Sequence, residues 1–458
     1  MKSRSSLEVS QEASKLKIAK SRGDPKSDEL DALIRSNGLV FRQSRQLSVV
    51  QSHRLQEVYP ETSGAVTGGS QPLNFTFNLG SDFVCWPNSW LEVSLSTLGT
   101  AAAETSGFGQ GSAANILSEC IFLSQSGMEI LRETNKSLYV KQQDYQSQKR
   151  SYFQQDGQIM GYGLIRATEG DGIPLAASTA QLTAGNGVYG TAVKFAIPMS
   201  RVLHGLNINK LLPGIGFLSG SRLQITTAAI EQAFLSSAAT VVSYQISSAR
   251  IMLDTYSLAN SVLQRINEVS ANNGLEVEMP TYAHVSQSIT STGVQLDFRE
   301  AVSRATECFA VARLNSSVSS KTADSLASKA YNFSSYRFQL GSEYMPVNSV
   351  TDPVTAYMHA THYLRSKMLY SDVDIGSISY LGYTAAYSAA SIFGGGHGFV
   401  ATPLERFSLV SSGVMVNGSR ILSLSGTELD GASSLSIDMF VKYIRLARIY
   451  FNKLQVDK

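Results

Sequence analysis

Disulfides, membrane spans, a large net charge and catalytic signatures are all scarce or missing. Cysteine occurs three times in 458 residues, at Cys85, Cys120 and Cys308, with no CxxC and no paired spacing. So few, and an odd number, exclude a disulfide framework and fit a reducing compartment. No apolar run approaches the ~20 residues a membrane-spanning helix needs. No apolar signal core follows Met1, so the N-x-[ST] sequons at Asn74, Asn135, Asn315, Asn332 and Asn417 read as accidents of Ser-rich composition. The expectation is a chain that leaves solution only by assembling. Charged residues make up only 16% and net charge is +2, so the whole molecule makes no case for nucleic acid.

Chemistry-bearing motifs are equally thin. There is no G-x-S-x-G elbow, no catalytic cysteine with a placed histidine, and no paired carboxylates in a shared motif. His359 and His362 lie three apart in a predicted helix, the spacing that puts two imidazoles on one face. No Glu sits between them and no third ligand suggests itself, so they read as polar residues on an exposed face. Gly394-Gly395-Gly396-His397-Gly398 matches a phosphate-cradling loop in glycine content only. It lacks the Gly-Lys-Ser/Thr ending and reads as a flexible surface loop. The expectation is no catalytic, cofactor-binding or metal-ligating residue, no cofactor, and no enzyme.

What is present is short strands in a repeated order. Hydrophobic residues are 43%, ordinary for a globular chain. FAIPMSRVLHGLNINKLLPGIGFLSGSRLQITTAAIEQAF (Phe195 to Phe234) reads as a strand ending at Pro198, a Pro-Gly loop, a Gly220-Ser221-Arg222 corner and an alternating strand. A degraded copy, FVATPLERFSLVSSGVMVNGSRILSLSG, runs from Phe399 to Gly426 with its corner at Gly418-Ser419-Arg420. An Ala-Arg-Ile strand follows each corner glycine 29 residues later, from 220 to 249 and from 418 to 447. Earlier, Ile121 to Tyr145 and Tyr336 to Leu364 each read as strand, glycine turn (Gly127, Gly341), short strand, helix. Arg222 and Arg420 are expected to fix their corners by hydrogen bonds or ion pairs, and Asp254 and Asn452 to be strand-end residues. Val416-Asn417-Gly418-Ser419 favours a type I′ hairpin turn. Phe83 to Trp90 and Ser89 to Leu98 read as successive strands around Pro87, and Phe440 to Leu454 as one final strand.

The domain plan is an arm at 1–55, a first β domain at 56–256, a linker helix at 257–275 and a second β domain at 276–458. Residues 1–22 carry a net charge of +4 and no aromatics, as a mobile or docking arm does. The fold class is all-β: two tandem eight-stranded jelly-roll sandwiches with short inserted helices. Jelly rolls leave their flanks free for lateral contact. Three such chains about a threefold axis present six similar sandwiches, a near-hexagon that tiles a surface.

Between about residues 70 and 458 the chain resembles a double jelly-roll major capsid protein of a tailless icosahedral DNA virus, in the group of polinton-like viruses, virophages and nucleocytoplasmic large DNA viruses. The resemblance is carried by CIFLSQSGMEILRE, FAIPMSRVLHGLNINKLLPG before SRLQITTA, YQISSARIMLDTY, YRFQLGSEYMPVNSVTDPVTAY and FVATPLERFSLVSSGVMVNGSRILSL, in that order. It implies a homotrimeric capsomer, lateral capsomer contacts, penton and minor (cement) protein partners, and a place in the virion shell after synthesis in the host cytoplasm, with assembly there or in the nucleus. It also implies an N-terminal arm on the inner face, against neighbours, an inner membrane or packaged DNA. The rival reading is a spike-like β-sandwich that binds glycans or receptors. Its only candidate aromatic platform is Tyr370, Tyr380, Tyr383 and Tyr387.

Overall fold

The computed structural model describes residues 49–458 except 63, 101–103, 149–151, 154–155, 163–181, 209, 237–240, 273, 329–332, 367–382, 385–395, 405–412, 429–433, 451–452 and 458. By contact the chain divides into Met1–Gln51 and Ser52–Lys458. The second unit contains both sandwiches.

The first half runs β1 Val50–Val58, β2 Val66–Thr67, β3 Leu73–Thr76, β4 Phe83–Gly99, β5 Glu104–Gly107, β6 Leu117–Leu123, β7 Glu129–Thr134, helix α1 Lys136–Ser147, β8 Leu182–Asn186, β9 Val193–Pro198, β10 Leu212–Pro213, β11 Arg222–Thr227, β12 Leu235–Ser236 and β13 Val241–Leu258. Helix α2, Asn260–Asn272, follows. The second half runs β14 Leu275–Ile289, β15 Gly293–Phe298, β16 Val302–Leu314, β17 Phe333–Leu340, β18 Glu343–Val350, helix α3 Pro353–Ser366, β19 Val400–Pro403, β20 Val414–Val416, β21 Leu422–Glu428, β22 Leu435–Tyr450 and β23 Lys453–Asp457.

Each half is a sandwich of two sheets. In the first, β1 and β2 pair with β13, β13 with β4 and β4 with β9, while the opposite sheet is ordered β3-β11-β6-β7. In the second the orders are β14-β22-β16-β19 and β15-β21-β17-β18. Strand for strand the two plans coincide, and each is that of a jelly roll. The helix after the fifth core strand recurs too, as α1 and α3. The sequence therefore folds as two tandem jelly rolls.

Alternation explains most of the strands. In β11, Leu223 and Ile225 are buried while Gln224 and Thr226 are half-exposed. The first core gathers Phe77, Trp86, Phe122 and Phe217, with ring centroids 6.0–6.4 Å apart along the chain of contacts. Gly127 (φ 82°) and Gly341 (φ 62°) make the equivalent turns in the left-handed region, which glycine enters without a Cβ penalty. The repeated Ala-Arg-Ile has a physical basis. Arg250 Nη1 lies 3.0 Å from Glu57 of β1, and Arg448 Nε lies 2.8 Å from Glu276 of β14. In both halves this arginine ties the long Ala-Arg-Ile strand, β13 or β22, to the half's first strand.

Several expectations are corrected. Pro87 does not separate two strands; β4 runs through it, because β13 pairs with Cys85 and then Trp90 and leaves Pro87 in a bulge that needs no donor. β14 runs from Leu275 straight through Pro280, which sits opposite Ile444 on an edge strand. The expected final strand is two: β22 ends at Tyr450, and β23 folds back antiparallel on it. No positive φ occurs at Asn417 or Gly418, so the turn is not type I′. It spans Asn417 to Arg420, and the Asn417 side-chain oxygen accepts from the backbone N–H groups of Ser419 (3.0 Å) and Arg420 (3.1 Å). This side-chain acceptor supports the turn without a left-handed residue. Arg222 is exposed and does not fix its corner. There the buried Ser221 hydroxyl donates to Leu218 O (2.5 Å), and Phe77 exchanges backbone bonds with Gly220 and Ser221. Asp254 lies inside β13, and Asn452 lies outside the described residues.

We predict that Phe77→Ala, which empties a fully buried aromatic site, destabilises the chain by about 3–5 kcal/mol. Thermal unfolding checks this; a loss below about 1 kcal/mol would show that the first core does not hinge on that ring.

Candidate functional site: the seam and the open faces

Helix α1 lies between the two sandwiches. Its sequence, KSLYVKQQDYQS, is rich in good helix formers and has no clear apolar stripe. Such a helix ordinarily lies in water, yet all but Gln143 and Ser147 of its twelve residues are buried. The chain enters it through Asn135 in the left-handed conformation (φ 48°), which Asn tolerates better than most residues.

Every charge on the buried helix is met. Lys136 pairs with Glu133, both completely enclosed, and its ammonium stands 5.6–5.7 Å from the ring centres of Tyr282 and Tyr139. Glu133 also accepts from the backbone N–H groups of His204 (3.0 Å) and Gly205 (2.8 Å). Asp144 accepts from the Tyr162 hydroxyl (2.7 Å) and is ion-paired with Arg201. Burial nonetheless holds its carboxyl above the usual range. Lys141 Nζ donates to Leu326 O and Gly396 O, both at 2.7 Å. Burial pushes its ammonium down to about 7.

The second sandwich receives α1 on the outer face of its β14-β22-β16 sheet. Tyr139 stacks on Tyr282 at 3.7 Å between centroids, with Phe440 and Phe309 about it at 5.7 and 6.1 Å. Asn135 Nδ2 donates to Asp438 Oδ1 (2.9 Å), which also bonds His284 Nε2 (3.0 Å). Arg313 donates to the other oxygen of Asp438 at 2.7 and 3.1 Å. Burial would raise the Asp438 carboxyl, but the Arg313 charge and the His284 bond hold it well below the carboxylate range. Lys442 Nζ donates to Gln143 Oε1 (2.8 Å) and pairs with Glu307 (3.5 Å). Because this sheet is covered on both sides, β22 is buried at nearly every position. Its counterpart β13 alternates, with Ser247 and Ser248 exposed.

Most residues singled out from sequence do not converge. His359 is half-buried in α3; the side chain of His362 and residues Tyr370, Tyr380, Tyr387, Gly394 and Gly395 lie outside the described residues. Gly396-His397-Gly398 is not a surface loop. It is buried, and Gly396 O accepts from Lys141 and from the N–H and hydroxyl of Ser328. Tyr383 is buried too, its hydroxyl donating to Phe399 O (2.7 Å). Cys120 and Cys308 are buried free thiols, and burial pushes Cys120 up to about 12. Among the described residues no three His, Cys, Asp or Glu side chains gather as a metal site. The arrangement joins two surfaces. Sequence reading took Asn135 for an accidental sequon and passed over Lys141, Asp438 and Lys442; the local signal was the charged, unstriped helix itself.

Two tandem jelly-roll plans joined through such a seam define a double jelly roll. No family model and no curated protein matches the sequence. Solved structures do. The Sputnik virophage structure aligns with TM-score 0.57 and 10% identity over 91% of this chain and 90% of that one. The PBCV-1 virus capsid aligns with TM-score 0.56 and 12% identity over 91% and 99%. The mavirus major capsid protein aligns with TM-score 0.54 and 10% identity over 91% and 92%. At such identities the likeness establishes the fold.

Two predictions follow from the seam chemistry. Asp438→Ala strands the buried Arg313 guanidinium and should cost about 3–5 kcal/mol; a loss under about 1 kcal/mol by chemical unfolding would remove Asp438 from the seam's foundation. Lys141 titrates near 10.4 when unfolded and near 7 when folded. Its contribution to stability is therefore full above about pH 10.4 and lost as pH falls towards about 7. The stability of wild type relative to Lys141→Met should rise from pH 7 to 10, by up to about 1.4 kcal/mol per pH unit. A pH-independent difference would exclude a buried titrating amine.

Proposed function

We propose that the chain is the major building block of an icosahedral virion shell. Three copies form a pseudo-hexagonal capsomer, and capsomers tile laterally. One observation carries this reading: a single polypeptide holds two sandwiches of identical strand order, locked together by a seam that uses the outer face of one sheet in the second half, with no counterpart of that seam on the first half's outer face among the described residues. A molecule built to be self-contained has no need of such a repeat, whereas a tile gains two similar units per chain. The fold it shares with capsid proteins of PBCV-1, mavirus and Sputnik supports the same role. The domain bounds that go with it are 1–55, 56–256, 257–275 and 276–458.

Lateral contacts of about 1,000 Å² or more make such tiling specific. Penton and minor capsid proteins complete the shell, and the arm works on its inner side against neighbours, a membrane or packaged DNA. No catalytic role is assigned. The glycan-binding alternative loses ground with Tyr383, whose ring and hydroxyl are turned inward rather than offered as a platform.

The purified chain should sediment as a trimer or larger and show six-cornered particles in negative stain. A stable monomer would overturn the proposal. Deleting residues 1–22 should leave the trimer intact and impair shell formation; loss of the trimer on that deletion would move the arm from shell assembly to the capsomer itself.

A further inference from the structure

The two corners that the repeat brings into correspondence are not chemically alike. In the first half Gly220 takes the left-handed conformation (φ 79°) and the buried Ser221 hydroxyl donates to Leu218 O. In the second half the corner is Asn417-Gly418-Ser419-Arg420, between β20 and β21, with Gly418 and Ser419 exposed. The Asn417 side-chain amide is held in one orientation. Its Oδ1 accepts from the Ser419 N–H (3.0 Å), the Arg420 N–H (3.1 Å) and the Ser419 hydroxyl (2.7 Å), and its Nδ2 donates to Met415 Sδ (3.1 Å). The Gly418 N–H makes no hydrogen bond among the described residues. A Cβ built on Gly418 would meet nothing within 4 Å, so the nitrogen stands uncrowded. These are the parts of an intramolecular acyl transfer. A nitrogen nucleophile lies one residue from an amide carbon, and closing a five-membered ring between them gains from proximity. Negative charge developing on Oδ1 would meet donors already 2.7–3.1 Å away, the spacing of an oxyanion hole.

We propose that Asn417 is a site of spontaneous covalent modification, where the folded turn converts the side-chain amide to a succinimide and then to aspartate or isoaspartate. In the first step the Gly418 nitrogen bonds to Asn417 Cγ and gives up its proton. The Cγ–Nδ2 bond breaks, Nδ2 takes up a proton, and ammonia leaves. In the second step water adds to either ring carbonyl, and the bond from that carbonyl to the ring nitrogen breaks. Nothing is oxidised or reduced, and solvent water is the co-reactant. The product carries one more negative charge, beside Arg420. In the isoaspartyl form the chain runs through Asn417 Cβ and Cγ, so the link from β20 to β21 gains one backbone carbon. Arg420 also lies against the Gly341 turn, whose N–H donates to Ile421 O (3.1 Å), so the change bears on the β17–β18 turn as well. A second Asn-Gly pair provides an internal comparison. At Asn186-Gly187 the Gly187 N–H is bonded to Gly99 O (2.9 Å), which withholds the nucleophile. Asn37 and Asn273, which head the remaining Asn-Gly pairs, lie outside the described residues. The site stands independently of the capsomer reading.

The experiment ages the full-length chain in neutral and mildly alkaline buffer and maps its peptides by mass spectrometry, with enzymatic methylation of isoaspartyl residues as a second readout. Aspartate and isoaspartate should accumulate at position 417 ahead of position 186, and faster as pH rises, because the attack uses the deprotonated nitrogen. In urea the two positions should convert at similar rates, since the fold is what distinguishes them. Gly418→Ala has room for its methyl group and a backbone φ outside the left-handed region. It should keep the wild-type melting temperature and lose most of the signal at 417, because the methyl crowds the attacking nitrogen. Ser419→Ala removes one donor to Oδ1 and should slow the conversion to a smaller degree. A folded chain in which Asn417 converts no faster than Asn186 would overturn the proposal, as would a rate at 417 that Ser419→Ala leaves unchanged or raises.

Discussion

Burying α1 sets the terms for everything around it. A helix with two lysines and an aspartate cannot enter a protein interior unless each charge meets a partner there, because stripping an ion of water costs several kcal/mol. Glu133, Arg201, Tyr162 and two backbone carbonyls meet those requirements. Those partners come from both sandwiches. Lys141 reaches Leu326 O and Gly396 O of the second half, while Asp144 is held by Arg201 of the first. Apolar contact alone tolerates sliding, since it has no direction. Hydrogen bonds of 2.7–2.9 Å across the seam do not, because they weaken steeply with misalignment. The angle between the two jelly rolls is therefore set by polar geometry, with Tyr139, Tyr282 and Phe440 filling the space between.

The duplication shows where sequence is free to drift and where it is not. Features that serve the inside of one sandwich recur: the left-handed Gly127 and Gly341, the alternating seventh strand, and the arginine that ties the long Ala-Arg-Ile strand to the half's first strand. Features that face outward have diverged. The β7–α1 unit presents Glu133, Asn135 and Tyr139 to a fixed partner, whereas β18–α3 presents Val347, Val354 and Met358. Two copies of one fold placed in different surroundings are held to the same core and released at the surface.

This also sets what could be read from the sequence. Strand order and the repeat were legible because a half-buried strand must alternate and a tight turn must use glycine. Burial of α1 was not, since KSLYVKQQDYQS satisfies its polar groups through residues far away in sequence, such as Leu326 and Gly396. The glycine run near 396 was misread for the same reason: its backbone is ordered by a lysine 255 residues away. A local rule also misled at Pro87, which breaks a regular ladder but sits well where the pairing slips. The Asn417 turn followed local chemistry of another kind, its side chain accepting the bonds that a left-handed backbone pair would otherwise have to set up.

Assembly asks for less affinity than a lone complex does. A closed ring breaks only when two contacts fail together, so each contact gains from the effective concentration that the others impose. Surfaces that must find their register, separate and try again during growth of a shell are better built from small apolar patches than from dense ion pairs, which bind in fewer geometries and answer to salt. The chain's low charge content agrees with that. Within one chain the opposite holds: the seam forms once, never has to reverse, and can use buried charge to fix a single arrangement. Polar chemistry inside the chain is the answer to a contact that never has to be undone.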